Sequence, residues 1–146
     1  FVSVFSYDLA GAMQRQRSFN FQVTLPHFSD PKFLANGELR YKQMLHIKRL
    51  YPDTFVVPTY DIDLVWHAHQ VHHSLYMAET EALLGRPLKH DDSVNDRSHG
   101  SKLNTAHATQ QELWAQAYGT RFDISGAMYR GEPPPEQATA PAPELY

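Results

Sequence analysis

The sequence contains no cysteine, which excludes a disulfide framework, thiolate metal sites, iron–sulfur clusters and a cysteine nucleophile. It has no apolar run near the ~20 residues that a membrane-spanning helix needs. The opening Phe1-Val2-Ser3-Val4-Phe5 carries neither a basic leader nor a small-residue cleavage pattern. These absences lead to the expectation of an intracellular, cytoplasmic protein with no membrane partner. Starting on Phe1 instead of Met, the chain reads as a segment of something longer. An excess of positive charge is missing as well. Thirteen Lys and Arg against sixteen Asp and Glu leave a formal charge of −3, so nucleic acid is not an expected partner of this segment, whereas a protein partner is compatible with it. HExxH, GxSxG, a phosphate loop and GxGxxG are all absent, so no nucleotide or flavin cofactor is expected.

Of the 146 residues, 42% are hydrophobic and 20% charged, a balance that supports one globular domain. Gly131 to Tyr146 reads GEPPPEQATAPAPELY and holds five of the ten prolines. Such a stretch has little to bury and cannot continue a helix. The expected division is a helical domain over 1–131 and a disordered Pro/Ala-rich tail or linker over 132–146.

Within the domain, Val2, Phe5, Leu9, Ala12 and Met13 recur at helical spacing. Phe19, Phe21 and Val23 alternate, which predicts an extended segment from Ser18 to Pro26. Asp30-Pro31 looks like an N-cap with proline at the first helical position, opening a helix that Pro52 ends and Gly37 threatens to interrupt. A further helix or pair of helices runs from Tyr60 or Asp61 to Leu84, with Gly85 as the stop. Arg86 to Leu103 reads as a long ordered loop, and Asn104 or Thr105 as the cap of a last helix ending at Gly119. The expectation is an all-α bundle of four to five helices. Trp66 and Trp114 fit its core; Lys42, Lys48 and Arg49 fit a solvated face.

Nine histidines stand out, several of them in PTYDIDLVWHAHQVHHSLY at 58–76. Imidazole is a good ligand for divalent transition metals, so this bunching invites a metal reading. On an unbroken helix, however, residues two apart point about 200° away from each other, so His67 and His69 cannot share one ion there. Spacings of three or four pair Asp63 with His67, and His69 with His72 or His73. The simpler alternative is a core His69 and a surface Asp63–His67 pair. A second constellation, His90-Asp91-Asp92 followed by Asp96-Arg97 and His99, lies in the predicted loop. Folded back onto the histidine helix, it would complete a nitrogen–oxygen site suited to zinc, iron or manganese. The alternative there is an acidic loop held by Arg86 and Arg97. A calcium loop is disfavoured, because Asp92 to Asp96 lacks the alternating ligands and central glycine.

QRQRSF at 14–19, VPTYDIDLVWHAHQ at 57–70, LLGR at 83–86, HDD at 90–92, DR at 96–97 and GAMYRG at 126–131 together resemble one family. It is the helical domain of plant and fungal glycine-rich domain-containing proteins, a domain without an assigned reaction. The resemblance spans about Ser6 to Gly131 and matches Asp61, Asp63, Trp66, His67, His69, Tyr76, His90, Asp91 and Asp92. It implies further domains in related chains, often ending in a glycine-rich region. It also implies a helix break at His73, where similar proteins carry proline. Three functions compete. One is a divalent-metal site, with a metalloenzyme as its extension, built from His67, His69, His90, Asp91 and Asp63. Another is a non-catalytic interaction module in which the same groups are structural. The third is a phosphohydrolase-like pattern using His67, His90-Asp91 and Asp123. The metal reading expects the rings of His67, His69 and His90 to converge, with Asp63 behind His67.

Overall fold

A computed structural model describes residues 6–91, 93–94, 96 and 98–128. The expected tail over 132–146, with Val2, Phe5, Asp92 and Arg97, lies outside these residues. The described chain is all-α: α1 (Leu9–Arg15), α2 (Arg17–Val23), a 3-10 turn (Pro26–Ser29), α3 (Pro31–Leu50), α4 (Tyr60–Val71), α5 (His73–Leu84) and α6 (Lys102–Tyr118). Six α-helices exceed the four to five expected because the alternation at Phe19, Phe21 and Val23 belongs to α2 and not to an extended segment. Only Phe19 of that trio is buried; Phe21 is exposed, as one-faced packing of a helix permits. No helix among the described residues is long and apolar enough to cross a membrane.

Local chemistry sets the ends. Asp30 accepts the amide of Lys32 and Pro31 opens α3, while Gly85 and Gly119 adopt left-handed φ of 74° and 65° after α5 and α6. The cap of α6 is Ser101, three residues before Asn104 and four before Thr105, the expected caps; its hydroxyl accepts from the amide of Asn104. The Ile62 to Leu84 run divides at His72, where φ −89° and ψ 59° leave the helical region.

Gly37 does not interrupt α3; it lets α4 approach. A Cβ at Gly37 would meet the Asp61 carbonyl oxygen at 3.2 Å and Val65 Cγ2 at 3.6 Å. At this crossing lies the main core: Tyr41, Met44, Leu45 and Ile47 of α3 against Ile62 and Trp66 of α4, closed by Tyr76, Trp114 and Phe122. A second cluster of Phe19, Phe28 and Tyr60 roofs the start of α4.

One ion pair ties these elements together. Arg40 Nε donates to Asp61 Oδ2 at 2.6 Å, and its second nitrogen donates to Thr59 Oγ1 at 3.0 Å and to the Phe122 carbonyl at 2.8 Å. The guanidinium also faces the Trp114 and Phe122 rings at 5.0 and 5.5 Å. Arg40 and Asp61 are both buried, so removing either leaves the other charge without its partner. Arg40→Met should cost about 3–5 kcal/mol in urea unfolding followed by circular dichroism. The double variant Arg40→Met/Asp61→Leu should recover much of that loss. A single variant as stable as the parent would contradict this account.

Candidate metal centre

The site begins on the first turn of α4, with Asp63. Asp63 and His67 are one turn apart and therefore share a face. Asp63 is completely buried, so the expected surface Asp63–His67 pair does not form; the carboxylate lies inside, facing imidazoles. The third member arrives from the loop. Tyr76 Oη accepts from Trp66 Nε1 at 2.8 Å and donates to the Leu88 carbonyl at 2.6 Å. The Thr80 hydroxyl donates to the Tyr76 carbonyl and accepts the Leu88 amide at 3.2 Å. Both polar backbone groups of Leu88 are thereby fixed, and two residues later His90 packs its ring 4.6 Å from that of Trp66.

The ligand atoms form a small triangle. His90 Nε2 lies 3.1 Å from His67 Nε2 and 3.1 Å from Asp63 Oδ1, and His67 Nε2 lies 3.7 Å from the same oxygen. These three potential ligands all lie within 4.8 Å of one another. Phe19 stacks 4.3 Å from the His67 ring. Both histidines also line a cavity of about 390 Å³, together with Tyr7, Gln16, Gln70 and His73. His67 and His90 keep side-chain exposures of 25% and 13%, so the triangle is reachable from solvent while Asp63 is not.

Of the five candidate ligands, Asp63, His67 and His90 come together and the other two do not. α4 runs unbroken through Val71, so the break at His72 comes too late to turn His69 toward His67. His69 instead faces α3 and α5: Nδ1 is 2.9 Å from Tyr41 Oη and Nε2 is 3.0 Å from Glu79 Oε2. Burial, followed by the charges of Tyr76 and Glu79, pushes the Tyr41 phenol well above its ordinary value. Tyr41 thus keeps its proton and can donate it to Nδ1. Asp91 accepts from both the amide and the hydroxyl of Ser93, which hold its carboxylate below the usual range. Asp63 also departs from its expected place behind His67: it faces the same Nε2 atom that His90 faces. Neither Thr80 nor Leu88 carried a sequence signal, because their roles depend on a backbone contact.

The phosphohydrolase-like arrangement is not assembled. Asp123 bonds to His107 and Gln111 on α6, not to the triangle. Nor does Arg86 hold the acidic loop; it donates to the Pro52 carbonyl.

Comparison with known proteins agrees with the motif reading. Residues 2–79 match the glycine-rich domain-containing protein-like family. Glycine-rich domain-containing protein 1 of Arabidopsis thaliana is 38% identical over 139 residues, covering 92% of this chain and 17% of the relative. Glycine-rich domain-containing protein 2 of the same plant is 39% identical over 140 residues, covering 93% of this chain and 18% of its own length. This chain therefore corresponds to less than a fifth of either relative. No solved structure matches it.

Two outcomes are expected. Thr80→Val leaves the buried Leu88 amide without its acceptor, and should cost about 1–3 kcal/mol while accelerating hydrogen exchange at Leu88. For Asp123, burial raises the pKa, but the His107 and Gln111 hydrogen bonds and nearby positive charge outweigh it, leaving the group below its ordinary 3.8. A depressed carboxylate contributes stability that is complete above its unfolded pKa and is lost as pH falls through the folded one. The stability advantage of the parent over Asp123→Asn should therefore hold from neutral pH to about pH 4 and disappear on further acidification, as read from urea midpoints.

Proposed function

The chain belongs to the glycine-rich domain-containing protein family, and from that premise we propose that its helical domain holds one divalent metal ion on Asp63, His67 and His90. The observation that carries this reading is the triangle with edges of 3.1, 3.1 and 3.7 Å. Three ligands at zinc bond lengths of 2.0–2.1 Å in tetrahedral geometry are separated by about 3.3 Å, close to the middle of those edges. Right-angled coordination at similar bond lengths gives about 2.9 Å, also close to the two shorter edges. The two-histidine, one-carboxylate set suits zinc, iron(II) or manganese.

Proton accounting supports a cation as well. His90 Nε2 has both His67 Nε2 and Asp63 Oδ1 at 3.1 Å. One N–H on His90 cannot point well at both. A proton on each imidazole would set two N–H groups against each other across 3.1 Å. A cation at the centre uses the inward lone pairs of all three ligands. The competing structural role, holding the loop, is already performed by the two Leu88 backbone bonds.

Three protein ligands leave room for water or substrate on the side of the 390 Å³ cavity. A metal held there would supply Lewis acidity. The protein's own part is to orient the imidazoles with Phe19 and Trp66 and to exclude water from Asp63. The reading therefore extends to a metalloenzyme centre.

Protein purified without an affinity histidine tag or chelator should contain about one equivalent of zinc, iron or manganese by elemental analysis. His67→Ala and His90→Ala should each lose it while keeping the helical circular dichroism spectrum. Affinity should fall on acidification, because protons compete with a metal for its ligands. Metal-free protein that takes up none of the three ions on titration would refute the proposal.

A further inference from the structure

A second, larger cavity of about 430 Å³ opens beside the histidines. Its walls come from the end of α3, the link between α3 and α4, Trp66 of α4, the end of α5, the loop after it and the start of α6. The interior is apolar: Phe55, Val57, Trp66, Leu84, Leu88 and Leu103 line it. The remainder of the lining is strongly one-sided in charge, with Lys48, Arg49, Arg86, Lys89 and Lys102 against the single carboxylate of Asp91. That carboxylate is engaged by Ser93.

A solvated face is the simplest account of scattered cations, and the dipole of α3 favours Lys48 and Arg49 in its last turn. It does not account for the others. Lys102 is the first residue of α6, where the helix dipole disfavours a cation, and its ammonium sits 4.4 Å over the Phe55 ring at the cavity wall. Lys48 donates to the Pro52 and Thr54 carbonyls, and Arg86 reaches the same Pro52 carbonyl. Partial burial, followed by the Arg86 charge, holds the Lys48 ammonium below its ordinary pKa, although Asp53 offsets part of this. Among the described residues, none of the five cations lies within ion-pair distance of a carboxylate. An apolar chamber of small-molecule size with five cations and one carboxylate in its lining has a definite complement.

We propose that this cavity binds a small amphiphilic carboxylate, its hydrocarbon body among Phe55, Trp66 and Leu84 and its anionic end between Arg86, Lys89 and Lys102. The site is distinct from the metal triangle and does not depend on it, although His90 borders both cavities.

Titration calorimetry of the whole chain with octanoate, octanol and octylammonium separates charge from apolar body. Octanoate should bind at least about tenfold more tightly than octanol, and octylammonium should not bind detectably. Arg86→Gln/Lys89→Gln, at two exposed positions, should weaken octanoate by about tenfold and leave octanol unchanged. Leu84→Trp, which fills the chamber, should abolish both. Octanoate binding should persist in EDTA and in His67→Ala, so its failure and that of the metal reading are distinguishable. The proposal is overturned by absent octanoate binding at millimolar concentration, by equal affinity for all three ligands, or by a double variant with the parent's unfolding temperature and unchanged octanoate affinity.

Discussion

The fold depends on a buried charge that has to be neutralised where it stands. Asp61 enters the first turn of α4, where the helix dipole favours an acid, yet it is almost fully removed from water. A bare carboxylate in such a place is far too costly, so its position dictates that of Arg40. Arg40 in turn has more donors than one carboxylate can use. They reach Thr59 at the entrance to α4 and the Phe122 carbonyl beyond α6. The flat guanidinium fills the space against Trp114 and Phe122. A lysine would supply the charge but neither the fork nor the flat face. Segments of the chain more than eighty residues apart are thus joined through one side chain.

The Asp63, His67 and His90 triangle is a consequence of that crossing combined with a second anchor. Because α3 and α4 are locked, the side of α4 bearing Asp63 and His67 faces away from α3 and must be covered by something else. The loop after α5 covers it, held by two bonds to the backbone of Leu88. Loops carry function most effectively when a rigid scaffold fixes them close to the functional residue, and Leu88 is only two residues from His90. Tyr76 joins both requirements: it accepts from Trp66 on α4 and donates to the loop.

Much of this was legible in the sequence, and the limits have physical causes. Asp30-Pro31, Gly85 and Gly119 announced helix ends through local chemistry that tertiary contacts do not override. The Trp66 and Trp114 core and the approach of His90 to His67 were also within reach. The extended reading of residues 18–26 failed because alternation over so few positions fits one face of a short helix equally well. Arg40 was missed because nothing local distinguishes a buried arginine from an exposed one; its partner is 21 residues away. Gly37 was misread for a related reason. A glycine inside a helix weakens it in isolation, but here the missing side chain admits the backbone of α4.

The pattern DIDLVWHAH is best understood as two interleaved sets on one helix. Asp61, Val65 and His69 are spaced by four and face α3, where they meet Arg40, the gap left by Gly37, and Tyr41. Asp63 and His67 share the same spacing and face the loop that brings His90. Residues two apart on a helix point about 200° away from each other, so each Asp-x-Asp and His-x-His pair must divide between the two faces. One acid and one histidine hold the helix to α3; the other acid and histidine are left to meet His90. The motif's dense repetition of ligand-type residues therefore does not mean a dense ligand shell. It means that one helix uses polar side chains on two sides, and that its position against α3 is set by the same chemistry that builds its site. A change at Asp61 or His69 acts on the triangle only through the seating of α4, whereas a change at Asp63 or His67 acts on it directly.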